Sequence, residues 1–297
     1  MPETFHEFLV RMLVNELGVG WFAAQRRRSV AERHVLCRWI EEWESMRASP
    51  PMVDAVVAQD GSIGIWPSGS VQALLAVAYD VAAVIAASPV RPSRTIKRLK
   101  ARETFQGARY ERAVARIFAI AGYELEWTER EQSLRHPEFV ARCASNGFAI
   151  GVEAKSRRRR NVLDSNDGPE PDREELRIFR LLGEALGQAP DGMPFAVFID
   201  GNMPTPGRDF YGSSRWRVEL QSIVDRLQTE GTAESPHEFS LLVVTNWPWH
   251  YAGEDDAGRS DAPVFCLPTH AVEVLDTTKF LRLLEATNAY PEIPEWV

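Results

Sequence analysis

Cysteine is scarce in this 297-residue chain: Cys37, Cys143 and Cys266 stand far apart. That spacing excludes a paired-cysteine zinc site, and an odd, sparse count fits a reducing compartment rather than a disulfide scaffold. There is no Gly-x-x-x-x-Gly-Lys-Ser/Thr loop, so a P-loop nucleotide hydrolase is not expected. Neither a Gly-x-Ser-x-Gly elbow nor a His-Glu-x-x-His pair occurs, and the 6 histidines are scattered. Residues 1–7 have no basic stretch leading into an apolar one, so no secretory leader is expected, and the cytoplasm is the expected location. The apolar stretch 71–87 is short for a membrane span and contains Gln72 and Asp80, which points to a buried helix and no membrane association. No internal repeat or long low-complexity tract is present.

What is present begins with charge. The net charge is −8, which argues against a simple basic nucleic-acid binder. Its distribution is uneven. Residues 1–160 carry 24 Lys and Arg against 18 Asp and Glu, whereas residues 161–297 carry 10 against 24. An acidic second half repels nucleic acid while a basic patch in the first half captures it locally.

Residues 3–18 have helical spacing, with Phe5, Phe8, Leu9, Met12, Leu13 and Leu17 in one stripe and Gly18 as a stop. Trp21 and Phe22 are expected in a loop. Ser29 is the expected N-cap of a helix through Met46 with Val35, Leu36, Trp39, Ile40 and Trp43 inward, and His34 is expected to pack. Pro50-Pro51 breaks the chain before the apolar helix. Residues 1–90 thus form a helical N-terminal unit, open to a homodimer or partner-protein contact, and 91–297 form an α/β domain. In that domain 91–116 is strongly basic, and Arg109 and Arg112 are expected on a phosphate-contacting ridge, against the plainer alternative of a solvated helix face. Apolar runs at 194–200 and 239–245 read as strands covered on both faces. Asp200 is expected to cap a loop. Asp172 is the expected N-cap of a helix with Leu176 and Phe179 inward, and a further helix is expected from Ser214 with Trp216 inward. The aromatic stretch 246–251 is a stacking loop or an edge packing element.

The stretch 102–160 carries the chemistry. Two short apolar runs, 139–144 and 148–155, are separated by Ser145-Asn146-Gly147, a hairpin signal. Alternation puts Phe148, Ile150 and Val152 on one face of the second strand and Ala149, Gly151, Glu153 and Lys155 on the other. Small residues before the Glu/Lys pair leave room for an ion or a phosphate beside the backbone. Glu138 opens the partner strand, where its carboxylate can stand beside Glu153. Carboxylate oxygens suit Mg²⁺ or Mn²⁺. The plain alternative is a surface Glu–Lys ion pair on an ordinary hairpin. Arg157, Arg158, Arg159 and Arg160 follow directly and are expected to contact nucleic acid.

The order of these features resembles the PD-(D/E)xK nuclease superfamily. Its acidic helix matches at Glu111, its acid after proline at Pro137-Glu138, and its acid-x-lysine strand at Glu153-Ala154-Lys155. The resemblance implies a restriction-endonuclease-like α-β-β-β-α-β core with a mixed central sheet. It implies Mg²⁺- or Mn²⁺-dependent phosphodiester hydrolysis, with DNA the expected partner. It assigns metal ligation to Glu138, Glu153 and the Ala154 carbonyl, catalysis to Lys155, and support of the metal to Glu111. One departure is that the family usually has aspartate where this chain has Glu138. The alternative function is a nuclease-like fold that binds nucleic acid or a partner protein without turnover.

Overall fold

The computed structural model describes residues 3–48, 55–57, 63–65, 67–90, 93–128, 136–159, 163, 177–202, 215–232, 234–247, 264–268 and 271–290. Arg160, Asp172, Leu176, Ser214, the Trp216 side chain and residues 248–251 lie outside that set, as does the loop at 161–171 apart from Leu163.

The chain is an α/β protein. Its N-terminal part comprises α1 (Phe5–Leu17), α2 (Val19–Arg26), α3 (Val35–Ala48), the paired strands β1 (Ala55–Val57) and β2 (Ile63–Ile65), and α4 (Gly69–Ala87). Thr4 starts α1 with a full capping box: its side chain accepts from the Glu7 amide while Glu7 accepts from the Thr4 amide. Gly18, at φ 87°, ends it in a conformation that suits glycine. Trp21 and Phe22 belong to α2 rather than a loop, because Gly18 lets a second helix start at once and bury Phe22. Ser29 precedes only the short 3-10 turn Val30–Glu32, and α3 begins at Val35, with Val35, Leu36, Trp39, Ile40 and Trp43 buried as the spacing predicts. The hairpin β1–β2 departs from the all-helical expectation for 1–90.

α4 is the one helix among the described residues long and apolar enough to cross a membrane, and 67% of its apolar window is buried inside the fold. Ser68 caps it, accepting from the Val71 amide at 3.3 Å. It lies between α1 and α3 on one side and α6 on the other.

After α5 (Ser93–Leu99) come α6 (Arg102–Ile120), β3 (Tyr123–Trp127), β4 (Phe139–Cys143), β5 (Ala149–Ser156), α7 (Ile178–Leu186), β6 (Phe195–Asp200), α8 (Arg215–Glu230), β7 (Leu241–Thr245), β8 (Val264–Pro268) and α9 (Thr277–Ala289). One six-stranded sheet runs in the order β3-β4-β5-β6-β7-β8. β3, β4 and β5 form an antiparallel meander, β5–β6 and β6–β7 are parallel, and β8 closes the edge antiparallel. The β4–β5 turn has Gly147 at φ 69°, and closes through the Gly147 amide on the Cys143 carbonyl at 2.9 Å.

Alternation sorts the two faces. Phe139, Ala141, Ile150, Val152, Ala196, Phe198, Leu241 and Val243 pack with Tyr110, Val114 and Phe118 of α6 and with α9. Phe195, Val197, Ile199, Leu242 and Val244 pack under α7 and α8. A third cluster joins α1, α3 and α4 to Leu99, Phe105 and Ala108. The helix α6 therefore belongs to two cores, the helical one through Phe105 and Ala108 and the sheet one from Tyr110 onward. A boundary at residue 90 crosses continuous packing rather than a linker.

Candidate functional site

The β4–β5 register pairs Phe139 with Val152 and Val140 with Gly151; one step further along the ladder brings Glu138 opposite Glu153. Glu138 is the residue just before β4. Its backbone is held from β3, where the Thr128 hydroxyl donates to the Pro137 carbonyl and, at 3.3 Å, to the Glu138 carbonyl. Glu153 sits in the middle of β5 with strands on both sides and no exposure. Its Oε1 accepts from Lys155 Nζ at 2.6 Å, as two residues on one strand face allow. Glu153 is 1% and Lys155 21% exposed at the side chain, so this is not the surface ion pair of the plain alternative.

Glu111 reaches the same place from α6. It is buried, and Arg98 Nη1 bridges it to Glu138: the guanidinium donates to Glu111 Oε2 and, at 3.4 Å, to Glu138 Oε1. Arg98 also feels the charge of Glu153. Arg98 thus joins Glu111 to Glu138, and the hairpin register sets Glu138 opposite Glu153, which Lys155 partners.

Burial pushes the Glu111 carboxyl up to about 8, and the neighbouring Glu138 charge pushes it the same way, while Arg98 opposes both. Three cations stand by these carboxylates: Arg98 and the buried Arg112 both feel the charges of Glu111 and Glu138, and Lys155 is paired with Glu153. The donor set is hard oxygen, suited to Mg²⁺ or Mn²⁺. Among the described residues, no group of three or more His, Cys, Asp or Glu side chains is arranged to hold a metal ion as they stand.

Arg98 was legible in the sequence only as one cation in a basic run. Its place in the site depends on α5 folding back along α6. The Thr104 hydroxyl donates to the Arg98 carbonyl at 2.7 Å, which ties the end of α5 to the first turn of α6. A Cβ at Gly107 would stand 3.6 Å from Arg98 Nη2, so the arginine lies across the one bare position on that stretch of helix.

The space expected beside Gly151 is not open. A Cβ there would come within 2.7 Å of Pro190 Cγ, so this glycine admits the Pro190 ring from the α7–β6 connection.

Arg109 and Arg112 do not form a phosphate-contacting ridge. Arg109 is fully buried, donates to the Ala73 carbonyl of α4 at 3.2 Å and lies over the Trp39 ring. Arg112 is 1% exposed, donates to the Thr95 hydroxyl and lies over Trp127; burial lowers its guanidinium to about 10. Helical periodicity marks the charges of α6 but not that α4 and α5 cover them. Arg157 is also buried, with its guanidinium lowered by burial. Its amide donates to the Asp200 carbonyl and its carbonyl accepts from Asn202 Nδ2 at 2.7 Å. Arg159 exchanges backbone hydrogen bonds with the Gln106 amide. Arg158 is the exposed member of the described run, and Arg159 is half-buried.

Asp200 caps the loop after β6, accepting from the Ser156 hydroxyl and the Asn202 amide, both at 3.2 Å. Trp247 does not present a stacking face. It is fully buried, stacked on Tyr290 at 4.2 Å between ring centroids and tilted against Tyr110.

No family model, no curated protein and no solved structure matches this chain.

Proposed function

We propose that the chain is a metal-dependent nuclease that hydrolyses phosphodiester bonds, with DNA as its substrate. The observation that carries this reading is the Arg98 bridge between Glu111 and Glu138, with Glu153 and its partner Lys155 opposite Glu138 in the β4–β5 register. The element order α6-β3-β4-β5-α7-β6 is the order that the resemblance implies, which supports it further. Glu138, Glu153 and the Ala154 carbonyl would hold Mg²⁺ or Mn²⁺, with Glu111 behind Glu138. An ion bound there supplies a Lewis acid for activating water and for the charge that grows on the phosphate. The other steps fall to the chain. Lys155, anchored on Glu153, orients the attacking water and adds a fixed positive charge beside the reacting phosphate. Arg158, exposed two residues beyond β5, would contact the nucleic-acid backbone.

The seat of Arg98 on Glu111 and Glu138 favours a second reading, in which the arginine stands permanently for the cation and the fold binds nucleic acid or a partner protein without turnover. Glu138 in place of aspartate points the same way. Incubation with supercoiled plasmid and with single-stranded DNA, in Mg²⁺, in Mn²⁺ and with chelator, separates the two. Metal-dependent cutting lost in Glu153→Ala supports the nuclease. DNA binding with no cutting in any metal supports the second reading.

A further inference from the structure

We infer that Arg98 is an exchangeable counter-cation of the carboxylate cluster: it holds Glu111 and Glu138 together until a divalent ion arrives, and has to leave for that ion to bind. This inference rests on the metal-site reading above and adds a residue that the resemblance does not assign.

The geometry supports departure rather than permanent residence. Arg98 and Lys155 are the two partly exposed cations of the cluster among the described residues, beside the enclosed Arg112, but they are held differently. Lys155 is on β5, two residues from its partner Glu153, inside a strand paired on both sides. Arg98 reaches in from the last turn of α5, 13 and 40 residues away in sequence from its partners. Its backbone is tied by Thr104, while its side chain is 24% exposed against 6% for Glu111 and 8% for Glu138. The Arg98 side chain therefore keeps partial access to solvent, and it lies across the bare Gly107. Its contact with Glu138 is the looser of the two, at 3.4 Å.

A divalent ion on Glu138 would stand within a few ångströms of that guanidinium in a site with little water. Like charges at that separation repel strongly. The carboxylates cannot keep both, so the energy of holding Arg98 is subtracted from the energy of binding the ion. Removing the guanidinium should make the ion bind more tightly. Had Arg98 been a positioning residue that preorganises the ligands, its removal would weaken the ion instead.

The test is calorimetric titration of Mn²⁺ into the full chain as wild type, Arg98→Gln and Arg98→Ala, with thermal unfolding followed by circular dichroism. Gln retains a donor to Glu111 and carries the test if the alanine variant does not fold. The expected result is Mn²⁺ binding in all folded forms, tightened by about tenfold or more in the neutral variants. Unchanged or weaker binding in Arg98→Gln overturns the exchange while leaving the metal site standing. Absence of Mn²⁺ binding in both wild type and Arg98→Gln overturns the metal site, and the exchange with it.

Discussion

α6 carries two buried ion clusters five residues apart, and they are built in opposite ways. At Arg116, a single carboxylate, Asp80 of α4, meets Arg116 Nη1 at 3.3 Å and the Tyr290 hydroxyl at 3.0 Å, with Arg109 close by. Arg116 lies over the rings of Tyr79 and Tyr290, and neither it nor Asp80 is more than 1% exposed. At Glu111, carboxylates from α6 and from the β4–β5 pair lie near the buried Arg112 and near Arg98 and Lys155, whose side chains are 24% and 21% exposed. The first cluster has its cations enclosed and ties α4, α6 and α9 together. The second has one enclosed cation, Arg112, and two more at its rim. Buried charge of the first kind holds elements in place, and charge of the second kind is available to an incoming ion.

The largest expected effect breaks the first cluster. Asp80→Ala leaves Arg116 buried without its carboxylate, and a loss of about 3–5 kcal/mol in unfolding free energy is expected from denaturant titration. If the variant unfolds at the wild-type midpoint, the Asp80 cluster is not structural. In the second cluster the effect should fall on chemistry instead. Lys155→Ala should lower plasmid cleavage by roughly 10²–10³-fold, as removal of one charge-stabilising group does. Its circular dichroism spectrum should remain that of the wild type.

Next in size is a titration outside both clusters. Burial among Trp21 and Phe105, helped by the positive charges of Arg102 and Arg38, lowers the His34 imidazole from 6.5 to about 3. The unfolded chain then takes up a proton below pH 6.5 that the folded chain refuses until about pH 3. Stability from this group is complete above pH 6.5 and falls by about 1.4 kcal/mol for each pH unit below it. In thermal melts, wild type should therefore lose stability relative to His34→Phe as pH falls from 7 to 5. Parallel curves would remove His34 from the account.

The smallest effect concerns the basic segment beside the site. Asn202, at φ 42°, donates to the Arg157 carbonyl and at 3.1 Å to Gln106 Oε1. Asn202→Gly keeps that backbone conformation available and loses both hydrogen bonds, at a cost of about 1–2 kcal/mol. DNA affinity should weaken with it, and a filter-binding isotherm matching wild type would mean that Arg158 does not need this clamp.

Much of the sheet is legible from residue order. Strands β4 to β7, the hairpin turn near Gly147 and the shared face of Glu153 and Lys155 follow from alternation and turn chemistry, which are local properties. The Glu138–Glu153 juxtaposition follows from hairpin register. The misread residues are those whose environment is set by distant chain. Arg109 and Arg112 have the spacing of a solvated face, yet α4 and α5 close over them, with Trp39 and Trp127 supplying ring faces for the guanidinium groups. Gly151 has the look of an open site but receives Pro190. Arg98 stands one helix earlier than the motif and enters the site only because Thr104 folds α5 back. Trp247 is a different case: its aromatic stretch reads equally as a stacking loop or a packing element, and Tyr290, 43 positions later, decides for packing. Each of these depends on long-range packing that no local window contains.

The most direct measurement of the central claim is Mn²⁺-dependent relaxation of supercoiled plasmid by wild type and Lys155→Ala at matched concentration, with folding of both verified by circular dichroism and chelator as the blank. The account predicts nicking by the wild type, none with chelator, and none above the blank by Lys155→Ala. Normal nicking by a folded Lys155→Ala variant would contradict it, because the lysine beside Glu153 would then have no part in the chemistry.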